Sequence, residues 1–447
     1  MLVGTALVTL VFAAGVVGWR LLGNDDSSPG GDRTTWSSIA LVDRVSGDVT
    51  LVDADGEVIA ASPAHGRTGS LYAFDGVLSL ANSRALTVLR DPADDNADVL
   101  TIEMPDRSEI TPIPTSTRTF LALGPSTGGD VLIVDPVDGT FTDVGELASG
   151  ASPTTPKMFV DTMRTNDTGS MFAIADAANF QTIVVRPDET EPYFLADQPV
   201  AVGDDLVATT QTVGLQADIS LVDLERSPKA TASTQIPAGA IGLMTDDVLT
   251  FVSVDGGVFR IEPGDDDTTR LGAVAVPTGA LIQRVHPAAD GERLVVAGDT
   301  FEAVVDLEGR TLFTTTFPSA VDTPPPDPTW SCLAVGGTGG YHSIIDLTTG
   351  EQLADLSGVD DVTGTSADGC IVLADRSGTA EVIGADGAVS VGDDVTAVLG
   401  PDGHSVVRVG SDGATELVLI DDDFTLGDPV DLSRLAGPNT LISFVPD

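Results

Sequence analysis

The chain has 447 residues, with 68 acidic against 21 basic side chains, so its net charge is 21 − 68 = −47. So acidic a chain has no basic stripe to displace counterions from phosphate, which excludes nucleic acid as a partner. Its 42% hydrophobic content, spread along the whole length, excludes an intrinsically disordered protein.

Residues Met1 to Trp19 carry no charged side chain, and Leu21 and Leu22 extend the apolar run past Arg20. About 20 apolar residues cross a bilayer as a helix. A cleaved signal peptide is the alternative, but it calls for a basic start and a small-residue cleavage site. Here no Lys or Arg precedes the run, bulky Trp19 and Leu22 close it, and no Cys follows for lipid attachment. Residues 1–22 are therefore expected to be a retained transmembrane helix, 23–36 a Gly-, Asp- and Ser-rich tether, and 37–447 one domain. The basic residues Arg20 and Arg33 follow the span, against the positive-inside tendency. The acidic bulk of the chain suits the extracytoplasmic side, and this is the expected location: a single-pass cell-membrane protein with its domain outside.

From Ser37 onward, short runs of Val, Ile, Leu, Thr and Phe alternate with Asp-Gly, Gly-Gly and Pro turns, which predicts an all-β fold of short antiparallel strands. One unit recurs. It has a leading strand, an Asp/Gly turn, a second strand, a third strand ending in hydrophobic-x-Asp, a Gly turn and a fourth strand. The segment from Gln283 to Pro318 shows it, with its third strand ending at Asp306 and its turn at Gly309; Asp346 with Gly350, and Asp135 with Gly139, repeat those offsets. Ten units can be counted, with third strands near Thr50, Thr87, Leu132, Ile183, Leu221, Phe259, Val304, Ile344, Glu381 and Val418. A spacing of roughly forty residues is the period of a four-stranded propeller blade. Propellers usually have 4–8 blades, so a ring of seven or eight larger blades, or two smaller rings, stays open. The first unit lacks a leading strand and the last residues, TLISFVPD, supply one. The C-terminal strand with Leu441, Ile442, Phe444 and Val445 is therefore expected to close the ring as the inner strand of the first blade.

Motifs that carry chemistry are sparse. The histidines His65, His286, His342 and His404 show no metal-ligand spacing, although a propeller can bring distant blades together. Gly124-Pro125-Ser126-Thr127-Gly128 matches the nucleophile-elbow string, yet a strand follows where that motif needs a helix. The clusters at Asp53-Ala54-Asp55, Asp94-Asp95, Asp265-Asp266-Asp267 and Asp421-Asp422-Asp423 lack the full ligand set of a Ca²⁺ loop and read as turn residues. Gly336 to Gly340 reads as a hairpin loop, and Asn166-Asp167-Thr168 is a formal glycosylation sequon. No catalytic, cofactor or metal residue is assigned. Pro324, Pro325, Pro326 and Trp330 form a stiff candidate contact loop, Trp330 being either a contact or a cover on its own blade. Cys332 and Cys370 lie 38 residues apart, near one repeat. They either join neighbouring blades in a disulfide, which needs an oxidising compartment, or stay two buried thiols.

An apolar anchor, a short acidic tether and VxD-turn-Gly repeats together resemble the membrane-anchored extracytoplasmic β-propellers of bacteria. The Asp-, Ala-, Gly- and Val-rich, lysine-poor style, with Lys157 and Lys229 the only lysines, looks like a high-GC actinobacterium. The chain is similar in architecture to the polar growth factor A family of mycolate-bearing actinobacteria. That resemblance rests on architecture and quotes no diagnostic residue. It implies a non-enzymatic binding or scaffold protein in cell-envelope assembly, acting with a trehalose mycolate transporter. Its partner would be an envelope membrane protein or a glycolipid. Two alternatives share the architecture: a propeller enzyme (hydrolase, lyase or quinoprotein-like oxidoreductase), and an extracytoplasmic sensor or membrane-protein assembly factor.

Overall fold

A computed structural model describes residues 36–446, apart from 64, 94–97, 105–107, 126–130, 152–159, 188, 190, 214–215, 225–228, 238–240, 246, 265–267, 289–291, 317–328, 338–339 and 438. The expected anchor and all but the last residue of the expected tether lie outside the described residues. Among the described residues no helix is long and apolar enough to cross a membrane. The first strand begins at Trp36, that last tether residue.

Ten antiparallel sheets follow one another along the chain among the described residues, nine of them four-stranded. They are the blades of one ring, numbered here 1 to 10, with strands counted from the inside outward. All ten third-strand positions marked in the sequence fall on strands of successive sheets. The ten-blade count is therefore the one the chain adopts. Blade 8 shows Cys332–Gly337, Gly340–Asp346 and Gln352–Asp355. The turn from Asp346 to Gly350 marks the last two as third and fourth strands. Residues 317–328, which hold Pro324, Pro325 and Pro326, are outside the described residues.

The central strands read as continuous apolar runs, not alternations, because each blade is covered on both faces by its neighbours. Ile39 to Val42, Leu132 to Val134 and Phe172 to Ala175 are buried without a break. Ten apolar clusters hold the ring, each seated between two consecutive blades. One joins blade 6 to blade 7 through Val252, Val258, Leu294 and Val296. Another joins blade 10 to blade 1 through Val407, Leu417, Ile39 and Leu41. Burying each such side chain stabilises by roughly 1.5–3 kcal/mol relative to exposure.

The recurring hydrophobic-x-Asp…Gly string has a local cause. Asp306 Oδ1 accepts the backbone N–H groups of Glu308 at 3.0 Å and Arg310 at 2.8 Å. Gly309 then turns with φ +81°, where a Cβ would meet Gly272 N at 2.6 Å. Asp135 and Asp346 hold their turns in the same way. Aspartate folds back on its own backbone and glycine supplies the left-handed conformation. Asp53 and Asp421 likewise accept backbone N–H groups two and four residues on. The acidic clusters at 94–95 and 265–267 lie outside the described residues.

The ring closes as its two ends suggest. Thr440–Pro446 pairs with Trp36–Asp43, placing Ile442 opposite Leu41 and Phe444 opposite Ile39. It is the inner strand of blade 1, whose remaining strands come from the start of the domain.

Candidate functional site

The inner strands of blades 3 to 7 are Ser108–Pro114, Val160–Thr165, Gln198–Val202, Ile241–Thr245 and Ile282–Ala288. Together they line a cavity of about 610 Å³ on the inner side of the ring. Its walls are largely apolar, with Ile113, Val160, Met163, Val200, Leu243 and Met244 among them. Beta-bulges interrupt the inner strands of blades 4, 5 and 7, near 161, 200 and 283. A bulge re-aims the side chains that follow it. In blades 4 and 7 those include Arg164 and His286, both of which face the cavity.

His286 is half-buried and its Nε2 has no hydrogen-bond partner among the described residues. Burial, reinforced by the charges of Arg284 and Arg164, holds its pKa down at about 4, so the ring is neutral at neutral pH. Arg164 is exposed to the lumen yet surrounded by protein, and burial lowers its pKa. Guanidinium starts so high that it stays charged.

On the same face of blade 7 as His286 lies a further polar row. Arg284 pairs with Ala297, and Ala297 with Glu302, so the three side chains share one face of blade 7. Val295 and Val304 on that face pack against Leu333 and Val335, so it looks toward blade 8. Glu302 is 3% exposed. Burial pushes its pKa up to about 8, against the opposing pull of Arg284 and a backbone N–H bond from Gly336. Tyr341 of blade 8 is raised too, by burial and then by Asp361 and Glu302. Blade 7 thus carries a neutral imidazole and, at neutral pH, a largely protonated carboxyl.

Cys332, in the second strand of blade 8, and Cys370, in the turn between Asp361–Thr365 and Val372–Arg376 of blade 9, are disulfide-bonded. Trp330 is half-buried, packs on the cluster between blades 7 and 8, and lies against Gly369. His65 bonds Ser62 Oγ at 2.8 Å, and His404 Nδ1 sits 3.2 Å from the Ile420 carbonyl. His65, His342 and His404 do not line the cavity. Gly124 and Pro125 end a strand, Thr119–Pro125, and Leu132–Asp135 is the next one, so the elbow string joins two strands. Gly337 pairs with Gly340 in the hairpin of blade 8. Asn166 of the sequon is buried, and its Nδ2 donates to Asp204 of blade 5 at 2.7 Å, which closes it to a glycan in the folded chain.

Sequence reasoning passed over Arg164, Arg284 and Glu302 and treated His286 as an ordinary strand histidine. For Arg164, Arg284 and His286 the signal was a charged or polar residue in a leading strand, as in QRVHPA, whose partner blades cannot be read from spacing.

No protein-family model matches the chain, and neither does any curated protein. Solved structures do. One is a crystal structure of the eukaryotic initiation factor, with 11% identity, 89% of this chain and 97% of that one covered, and a TM-score of 0.45. Another is apo AztD from Citrobacter koseri, with 10% identity, 92% and 98% covered, and a TM-score of 0.38. A third is the Cps50 (Swd1) β-propeller domain of Myceliophteria thermophila, with 14% identity, 63% and 94% covered, and a TM-score of 0.40. None of these values bears on what the chain does.

Proposed function

We propose that the chain is a membrane-anchored, extracytoplasmic propeller that works as a non-enzymatic binding and scaffold protein in cell-envelope assembly. The observation that carries the reading is the lined cavity inside the closed ring, a concave and mostly apolar site of ligand size. The Cys332–Cys370 bond supports the compartment, because such bridges persist where the surroundings are oxidising. The expected span at 1–22 supports the attachment. The partner we propose is an envelope membrane protein or a glycolipid. On the family resemblance, a transporter of trehalose mycolates active in polar growth is the leading candidate. Propellers serve every class of function, so the fold itself does not select this one.

Affinity purification of the full chain from crosslinked membranes, with proteins and lipids both identified, tests it. An envelope transporter or envelope lipid in the eluate supports the scaffold reading. An unaccompanied protein that turns over a member of a substrate panel overturns it in favour of an enzyme.

A further inference from the structure

Acidic residues outnumber basic ones by 68 to 21 in this chain, so an arginine has no shortage of carboxylates to pair with. Arg90, Arg118, Arg186, Arg293, Arg310, Arg376 and Arg408 all do so. Arg44, Arg67, Arg84, Arg260, Arg270 and Arg434 are in no ion pair with a described residue, and neither is Arg164, but Arg164 stands on the inner strand of blade 4, faces the cavity, and makes no hydrogen bond with any described residue. Burial is all that bears on its charge. Arg164 is exposed to the lumen, so its guanidinium is open to pair with an arriving anion. His286 lines the same cavity, close enough to Arg164 to feel its charge, with its Nε2 buried. Glu109, Asp167, Asn166 and several threonines also line the cavity; the remainder of the wall is apolar, and the methionines Met163 and Met244 adapt readily to an irregular guest.

We propose that this cavity is a receptor site for an anionic amphiphile, a molecule with an apolar body and a single carboxylate or phosphate head, with Arg164 holding the head. The planar guanidinium suits either head group through paired N–H donors. The volume of about 610 Å³ suits a small-molecule guest. The charge of −47 repels free inorganic anions from the ring as a whole. An apolar body is what brings an anion in. The inference goes beyond the scaffold reading and does not depend on which partner the scaffold serves.

The test is a fluorescence titration of 11-(dansylamino)undecanoic acid into the full chain held in phosphatidylcholine nanodiscs, with empty nanodiscs as background. Saturation at one probe per chain is expected, with the methyl ester of the probe binding at least ten-fold more weakly. Arg164→Gln should weaken the acid at least ten-fold and leave the ester unchanged, and Arg164→Lys should restore part of the loss. Displacement by dodecanoate ahead of dodecyl phosphate assigns the site to carboxylates, and the reverse order to phosphates. No saturable binding, equal binding of acid and ester, or an Arg164→Gln variant with unchanged affinity for the acid overturns the proposal. The comparison of acid with ester uses the unmodified chain and stands whether or not the variants fold.

Discussion

Trp36 Nε1 donates a hydrogen bond to Asp402 Oδ2 at 3.0 Å across 366 positions of sequence. The bond ties blade 1 to the turn between the first two strands of blade 10, Thr396–Leu399 and Ser405–Val409. Asp402 also accepts the backbone N–H groups of His404 and Ser405 and the Ser405 hydroxyl. The Trp36 ring stands edge-on to Phe444 of the closing strand, with centroids 5.1 Å apart. One carboxylate therefore organises a turn and latches the ring. Trp36→Phe should cost about 1 kcal/mol, the net worth of one hydrogen bond. Asp402→Ala, which strips the turn as well, should cost several times that. Denaturant unfolding at fixed protein concentration reads both, and a Trp36→Phe variant as stable as the parent would show that the latch contributes nothing.

The closing strand carries more. Deleting residues 440–447 removes Phe444 and Val445 from two inter-blade clusters. It also leaves the strand Trp36–Asp43 with an unpaired edge. Aggregation or a large fall in melting temperature is the expected outcome. A soluble truncation with unchanged melting would mean that the ring does not depend on the pairing of its ends.

Reduction should weaken the seam between blades 8 and 9. Cys332 and Cys370 close a loop over a sequence separation of 38. In the chain-entropy description a loop of that size is worth about 3–4 kcal/mol. Cys332→Ser with Cys370→Ser should lower stability by that order, and adding reductant to the double variant should change nothing further. A double variant as stable as the oxidised parent would remove the bond from the stability account.

Blade 7 should give the stability an unusual pH profile. Glu302 has a folded pKa raised to about 8 from 4.5, so between those values the folded chain holds a proton that the unfolded chain has lost. Stability from this group therefore falls as pH rises from 4.5 to 8. His286 is depressed from 6.5 to about 4, so its contribution rises with pH across that window. The two slopes oppose each other between 4.5 and 6.5, and the Glu302 slope stands alone between 6.5 and 8. A single proton gives at most about 1.4 kcal/mol per pH unit. Arg284, Gly336 and Tyr341 face Glu302, and Arg284 and Arg164 act on His286. Glu302→Gln should flatten the profile between 6.5 and 8, and His286→Gln should leave the Glu302 fall unopposed, so that stability declines with pH from 4.5 onward. Unfolding curves at half-unit pH steps measure both; profiles identical to the parent would contradict the assignment.

The fold was legible because its cause is local. Asp306 with Gly309, and Asp346 with Gly350, mark their turns through bonds spanning four residues or fewer. Ring closure was legible as well, since the missing strand before Ser37 and the spare strand at Leu441 match each other. The cavity was not legible. Arg164 and His286 lie 122 positions apart (286 − 164) and meet only because the ring curves blade 4 toward blade 7. Glu302 sits in FEAVVD, where an acid inside a third strand looks like any solvent-facing residue until blade 8 covers it.

The central claim is that the inside of the ring binds a component of the cell envelope. The direct measurement places a photo-reactive diazirine analogue of methionine at position 163, on the cavity wall, in living cells, and identifies what it captures by mass spectrometry. The account expects an envelope lipid or envelope membrane protein, lost when Arg164→Gln is combined with the cavity-filling Met244→Trp. Capture of cytosolic components alone, or an unchanged envelope adduct in the doubly substituted chain, would contradict it.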